Sequence, residues 1–215
     1  MSKQLKIILI TLWVVIGVTV GGVVAGVLWY RAVQPLSAPI TVVADTNQIV
    51  HRLDVMYDAP RFTLTDQHGK AFGTQNLRGK VWVADFVFTT CTGLCPMMTQ
   101  QMGEFQKKTA GSDIQMVSFS VDPEHDTPAV LTAYANDAKA DLTRWHFLTG
   151  DKEQLWKISN SMKLAVGAGD DHQVMHSSHF LLVDRDGHVR GVYDYKDSGF
   201  MAQLVADANK VSTTN

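Results

Sequence analysis

The chain holds only two cysteines, Cys91 and Cys95, with three residues between them, in the run Phe86-Val87-Phe88-Thr89-Thr90-Cys91-Thr92-Gly93-Leu94-Cys95-Pro96. A bond between them would close so short a loop that it would add little stability by chain entropy. The pair is therefore read as a reactive or metal-ligating unit rather than a scaffold staple. It stands between a strand-like run and a helical pattern whose first turn Pro96 suits. Thiols at a helix N-terminus are shifted towards thiolate, which is both the nucleophile and the metal ligand. The redox motif proper has two intervening residues; with three, both a disulfide and joint ligation of one ion stay open.

Nitrogen donors are concentrated in one other place. Of eight histidines, His172, His176 and His179 lie together in Asp170-Asp171-His172-Gln173-Val174-Met175-His176-Ser177-Ser178-His179-Phe180. Two thiolates plus an imidazole suit soft or borderline metals, notably copper and zinc. His51, His68, His125, His146 and His188 have no visible partner and are expected in polar surface or loop positions. Met97, Met98 and Met102 also offer soft donors. Helical spacing assigns Met98 and Met102, with Phe105, to a buried face instead.

The elements that must position these groups follow from periodicity. Arg61 to Thr65 alternates like a strand, and Asp66-Gln67-His68-Gly69 is a turn, giving a hairpin. Lys80 to Phe88 and Ile114 to Val121 read as buried central strands. Thr127 caps a helix that Pro128 opens, running to about Ala138. A short strand spans Trp145 to Leu148 and a helix Lys152 to Ser161. His179 to Asp184 and His188 to Tyr193 flank Arg185-Asp186-Gly187 as a second hairpin, and Phe200 to Ala208 is a closing helix. Strands alternate with helices through the middle and hairpins sit at both ends. That pattern is an α/β fold, a mixed sheet with helices on its faces.

The N-terminal part has a different character. Ile7 to Tyr30 carries no charge over 24 residues, roughly 36 Å as a helix, enough to cross a bilayer. Trp29 and Tyr30 suit a membrane interface, and Leu28 to Arg31 makes a poor cleavage site, so an uncleaved anchor is expected. Lys3 and Lys6 precede the span and only Arg31 follows closely, which favours a cytoplasmic N-terminus and an external domain. Three units are expected: residues 1–31 as tip and anchor, 32–58 as linker, and 59–215 as the folded domain. Beyond residue 31 there are 16 basic and 21 acidic residues, a net of −5. No basic patch asks for nucleic acid.

With both motifs in view, the domain resembles the Sco/SenC family of copper chaperones over roughly residues 58 to 210. The resemblance is carried by Phe88-Thr89-Thr90-Cys91-Thr92-Gly93-Leu94-Cys95-Pro96, by Val121-Asp122-Pro123-Glu124-His125-Asp126-Thr127-Pro128, and by His176 ahead of Asp186-Gly187. It implies a thioredoxin-like domain on one N-terminal span. In such a sheet the loop before the strand at His179 faces the cysteine turn. The resemblance further implies that Cys91, Cys95 and His176 bind copper, as Cu(I) or Cu(II), and that Cys91 and Cys95 can form a redox-active disulfide. The implied partners are the copper subunit of a respiratory oxidase such as cytochrome c oxidase and an upstream copper donor. Asp122 and Asp126 are implied as a partner or metal-entry face, with a local turn and capping role as the alternative. No proline follows Pro128, so the usual platform for disulfide exchange is missing, which shifts weight towards ligation. A carrier rather than an enzyme is expected. A membrane-anchored thiol–disulfide reductase and a thiol peroxidase are the competing readings. A bacterial periplasm or surface and a mitochondrial intermembrane space both fit such an anchor; the lack of an Arg-rich, Ser-rich presequence favours a bacterial inner membrane with the domain on the periplasmic side.

Overall fold

The computed structural model describes residues 53–162 and 178–213. The apolar stretch 7–30, most of the expected linker, and His172 and His176 lie outside the described residues. Among the described residues no helix is long and apolar enough to cross a membrane.

Eight strands form one mixed sheet. They are β1 (Tyr57–Asp58), β2 (Thr63–Asp66), β3 (Ala71–Gly73), β4 (Trp82–Val87), β5 (Gln115–Ser120), β6 (Trp145–Thr149), β7 (His179–Val183) and β8 (His188–Asp194), in spatial order β1-β8-β7-β4-β5-β6-β2-β3. The centre is parallel: β4 pairs with β5 and β5 with β6. The flanks are antiparallel, with β7 against β4, β8 against β7 and β2 against β6. The helices are α1 (Thr74–Leu77), α2 (Leu94–Lys108), α3 (Pro128–Asp137), α4 (Lys152–Ser161) and α5 (Phe200–Thr213).

Alternation along the strands gives the sheet two separate cores. Trp82, Ala84 and Phe86 of β4, Val117 and Phe119 of β5, and Leu181 and Val183 of β7 share one face with Leu155 and Ile158 of α4. Val83, Met116, Phe147 and Leu182 share the other with α2, α3 and α5. Met98, Met102 and Phe105, the expected buried stripe of α2, are 0 % exposed, each such side chain contributing ~1.5–3 kcal/mol by burial. The far end of α2 is held by Arg144, which precedes β6. Its guanidinium donates to the carbonyl oxygens of Gln106 and Thr109, which the helix end leaves open, and to that of Ile114 just before β5.

Both expected hairpins form, and Thr127 accepts the Val130 N–H as the cap of α3. Three differences stand out. Tyr57–Asp58, read as the end of a linker, pair with Val189 and His188 as β1, and the Tyr57 hydroxyl donates to the Met162 carbonyl at 2.6 Å. A two-residue strand carries no detectable period. The single turn α1 was also missed; its polar sequence has no apolar stripe, and the Asn76 side chain holds it by accepting the Gly73 N–H. The last helix runs on to Thr213 because Val211 continues the buried series Leu204, Ala208.

Candidate metal centre

The cysteine turn is dictated by the end of β4. The strand stops at Val87, the Cys91 N–H turns back onto the Phe88 carbonyl at 3.3 Å, and α2 starts with Gly93 at its cap. Cys95 is then in the first turn of α2, and its N–H donates to Cys91 Sγ at 3.4 Å. Both thiols are free. They are unequal: Cys91 is partly exposed, whereas Cys95 is 4 % exposed on the inward face of the helix.

Their acidities diverge accordingly. Burial raises the Cys91 thiol, but the backbone N–H of Cys95, the Cys95 side chain and the N–H groups of Gly93 and Leu94 outweigh it and hold Cys91 below its ordinary value. This is the pattern of a sulfur at a helix N-terminus. Burial pushes Cys95 up to about 12, with the neighbouring Cys91 sulfur and the Asp85 carboxyl adding to it and a backbone contact with Phe88 opposing. The arrangement offers one accessible, thiolate-prone sulfur and a second, sheltered one within reach of the same ion.

Asp126 is 0 % exposed and ties the cysteine turn to the loop after β5. It accepts the Thr89 hydroxyl at 2.5 Å, the Thr89 N–H at 3.2 Å and the Ser120 hydroxyl at 2.6 Å. In this enclosed position it fixes the residue two before Cys91. Asp122 is partly buried, and its carboxylate meets the exposed His125 ring at 2.8 Å. That pairing, acting first through the hydrogen bond, raises His125 above its ordinary value.

The histidines separate into different roles. His179 opens β7 and lies 3.7 Å from Asp194 across the β7–β8 ladder. His146, expected at the surface, is half-buried: its ring stacks on Phe72 at 4.2 Å, and burial pushes its pKa down to about 4. His188 belongs to a group with Asp184 and Asp186 whose ligand atoms lie close enough for one cation. Asp184, however, is committed to the Arg190 guanidinium at 2.8 Å and to the N–H groups of Asp186 and His188. The group is a satisfied turn with Gly187 at φ +91°, at the end of β7 far from the cysteines. His172 and His176 are outside the described residues. β7 starts at the end of the sheet where β4 finishes, since Ala84 pairs with Leu181 and Trp82 with Val183.

Sequence reading missed Asp85, a carboxyl 0 % exposed in β4, and the Thr89–Asp126–Ser120 clamp. The first had a signal: Asp85 is the one charge in the apolar run Val81 to Phe88. The second joins residues 37 positions apart, which spacing alone does not reveal.

The SCO1/SenC family model matches residues 55–211. The SCO1 protein homolog of Bacillus subtilis (strain 168) is 34% identical over 162 residues, covering 73% of this chain and 84% of that protein. Among solved structures, that of BsSco, described with its disulfide switch as a member of the Sco family of cytochrome c oxidase assembly proteins, is 35% identical, with a TM-score of 0.66 over 75% of this chain and 98% of that one. Bradyrhizobium japonicum ScoI with copper bound is 27% identical, with a TM-score of 0.59 over 72% of this chain and 99% of that one. With a mixed sheet of thioredoxin type, an unequal cysteine pair at the N-terminus of α2, and a family match spanning nearly the whole folded part, the chain belongs to the SCO1/SenC family.

Proposed function

We propose that this chain is a membrane-anchored copper carrier that serves assembly of the copper centre of a respiratory oxidase, holding copper through Cys91, Cys95 and His176. The observation that carries the reading is the cysteine pair at the start of α2: the Cys95 N–H donates to Cys91 Sγ, and one sulfur is accessible and the other sheltered. Two thiolates and an imidazole are a donor set that suits copper in either oxidation state. A site with one sulfur facing solvent can also pass the ion on. His176 stands two residues ahead of Ser178, the first described residue before β7, and two extended residues span at most about 7 Å. The copper-bound relative of 27% identity supports the choice of metal, and BsSco supports the link to cytochrome c oxidase assembly. The apolar run 7–30 anchors the chain, its N-terminus cytoplasmic and its domain extracytoplasmic, on the periplasmic side of a bacterial inner membrane. Asp122, with His125 beside it, serves as the rim over which a partner or the incoming metal passes. An upstream donor supplies the copper.

The test is copper stoichiometry of the full chain in detergent, wild type against Cys91→Ser, Cys95→Ser and His176→Ala, followed by the visible sulfur-to-copper charge-transfer band. Wild type should bind one copper and each variant should lose tight binding. Undiminished binding by His176→Ala would remove that residue from the site. Oxidising the pair to a disulfide should also abolish binding, because the ligands are consumed.

A second reading, a thiol–disulfide reductase acting on the cysteines of a copper protein, draws on the inequality of the two thiols. Cys91 attacks and Cys95 resolves. Under that reading His176→Ala leaves dithiol exchange intact.

A further inference from the structure

Asp85 lies in the middle of β4, on the side that faces α2 and α3, in the same layer as Val83, Met98, Met116 and Phe147. Its register partner on β5 is Ser118, whose oxygen accepts the Trp145 indole N–H at 3.0 Å. The Ser118 hydroxyl lies alongside and favours the charged form, but neither Asp85 oxygen has a hydrogen bond of ordinary geometry among the described residues. An ionised carboxylate enclosed in this way is strongly disfavoured. Burial accordingly pushes Asp85 up to about 7.

Among the described residues the groups that face it are few. Cys95, buried on α2, and Tyr134 of α3, its hydroxyl 2.6 Å from that of Thr99, both lie within its electrostatic reach. Ser118 faces it from β5 and, through Ser118, Trp145 from β6. Asp85 raises both Cys95 and Tyr134 through space. A negative charge on the sulfurs and one on Asp85 are thus mutually unfavourable across an apolar layer, where charges interact more strongly than in water.

Copper held by two thiolates and a neutral imidazole has no net charge as Cu(II) and one negative charge as Cu(I). Each electron added to the site therefore brings a negative charge towards Asp85. We propose that Asp85 couples the oxidation state of the bound copper to proton uptake, acting as a positioning residue through its charge rather than as a ligand. The step balances: one electron from an external one-electron donor converts Cu(II) to Cu(I), and one proton from solvent converts the Asp85 carboxylate to the neutral acid. No bond to copper forms or breaks. Acid then favours the Cu(I) form, and alkali the Cu(II) form. Of the groups that face Asp85, the ligated thiols and Tyr134 do not titrate in this range, which leaves Asp85 as the one that responds there; His125, raised above its ordinary value at the exposed rim, keeps its titration in Asp85→Asn, so that variant separates the two. The inference rests on copper being held by the cysteine pair.

The experiment is a spectroelectrochemical titration of the copper-loaded full chain in detergent, read through the sulfur-to-copper band, from one pH unit below to one above about 7. In wild type the potential should fall towards 59 mV per tenfold drop in proton concentration, the value for one proton per electron. In Asp85→Asn it should stay flat. Redox-difference infrared spectra of wild type should gain the C=O band of a protonated carboxyl on reduction. That measurement decides the matter even if the variant fails to fold. Equal slopes in the two proteins, or no carboxyl band in wild type, overturn the coupling while leaving the copper site standing. Absence of the charge-transfer band in wild type, or its survival in Cys91→Ser and Cys95→Ser, overturns the copper site itself.

Discussion

Replacing Asp126 with alanine should cost about 3 kcal/mol of folding stability and loosen the cysteine turn without touching either sulfur. The figure comes from the contacts. Asp126 accepts two short hydroxyl hydrogen bonds, from Thr89 and Ser120, and a longer one from the Thr89 N–H. Hydrogen bonds to a charged group contribute roughly 1.5–3 kcal/mol each, and of the donors left behind the Ser120 hydroxyl is fully buried and Thr89 half-buried. Against this stands the relief of no longer burying a carboxylate, which offsets part of the loss. A net cost of about 3 kcal/mol is survivable for a domain whose total is of order 5–15 kcal/mol. Urea unfolding is the assay. With a slope of about 1–3 kcal/mol per molar, the midpoint should fall by roughly 1–3 M while the slope stays constant. Asp126→Asn, which keeps one acceptor oxygen but turns an amide towards the donors, should fall between alanine and wild type. Copper affinity should drop in parallel, because Thr89 is two residues from Cys91. A change in stability below about 1 kcal/mol for alanine would refute the reasoning: the clamp would then hold nothing that solvent could not.

Iodoacetamide near neutral pH should alkylate Cys91 first. Cys95, buried and raised to about 12, should react at least roughly a hundredfold more slowly in Cys91→Ser than Cys91 does in Cys95→Ser; comparable rates would contradict the inequality. Met98→Ala should cost about 2–5 kcal/mol by leaving a cavity, whereas Met97→Ala, at an exposed position, should fall within about 0.5 kcal/mol of wild type. Neither should change copper stoichiometry; a loss with Met97→Ala would bring that thioether into the site. His146 is held neutral in the fold, its pKa lowered from 6.5 to about 4 by burial. Its contribution to stability is therefore fully present above 6.5 and lost as the pH falls from there through about 4. His146→Phe, which preserves the stack on Phe72, should flatten the acid side of a plot of urea midpoint against pH.

Much of this domain was legible in its residues because the signals were local and periodic. The run Val81 to Phe88 could hardly be anything but a buried strand, and Thr127-Pro128 announces a helix start by chemistry confined to two positions. The Met98, Met102, Phe105 stripe named its own buried face. What escaped was set by contacts between distant parts of the chain. Tyr57–Asp58 becomes a strand only because β8 offers an edge, and His146 is half-buried only because Phe72 arrives from the β2–β3 hairpin. Asp126 illustrates the mixture. Its motif marked it as important, but a family-level face for partners and an enclosed clamp look alike in sequence. Only the positions of Thr89 and Ser120 separate them. The inequality of Cys91 and Cys95 was likewise invisible, since spacing places both at a helix start without saying which one the helix turns inward.

The grip of Arg144 on the last turn of α2 matters at the opposite end of that helix. Held by two carbonyl contacts at its tail, with a third tying the same guanidinium to Ile114 before β5, and by Met98, Met102 and Phe105 along its length, α2 is not free to slide or tilt independently of the sheet. Cys95 therefore behaves as a fixed jaw. For the copper site proposed above, removal of the ion is expected to begin at Cys91, the more exposed sulfur of the pair. Exchange with a partner would then proceed one sulfur at a time, outer before inner.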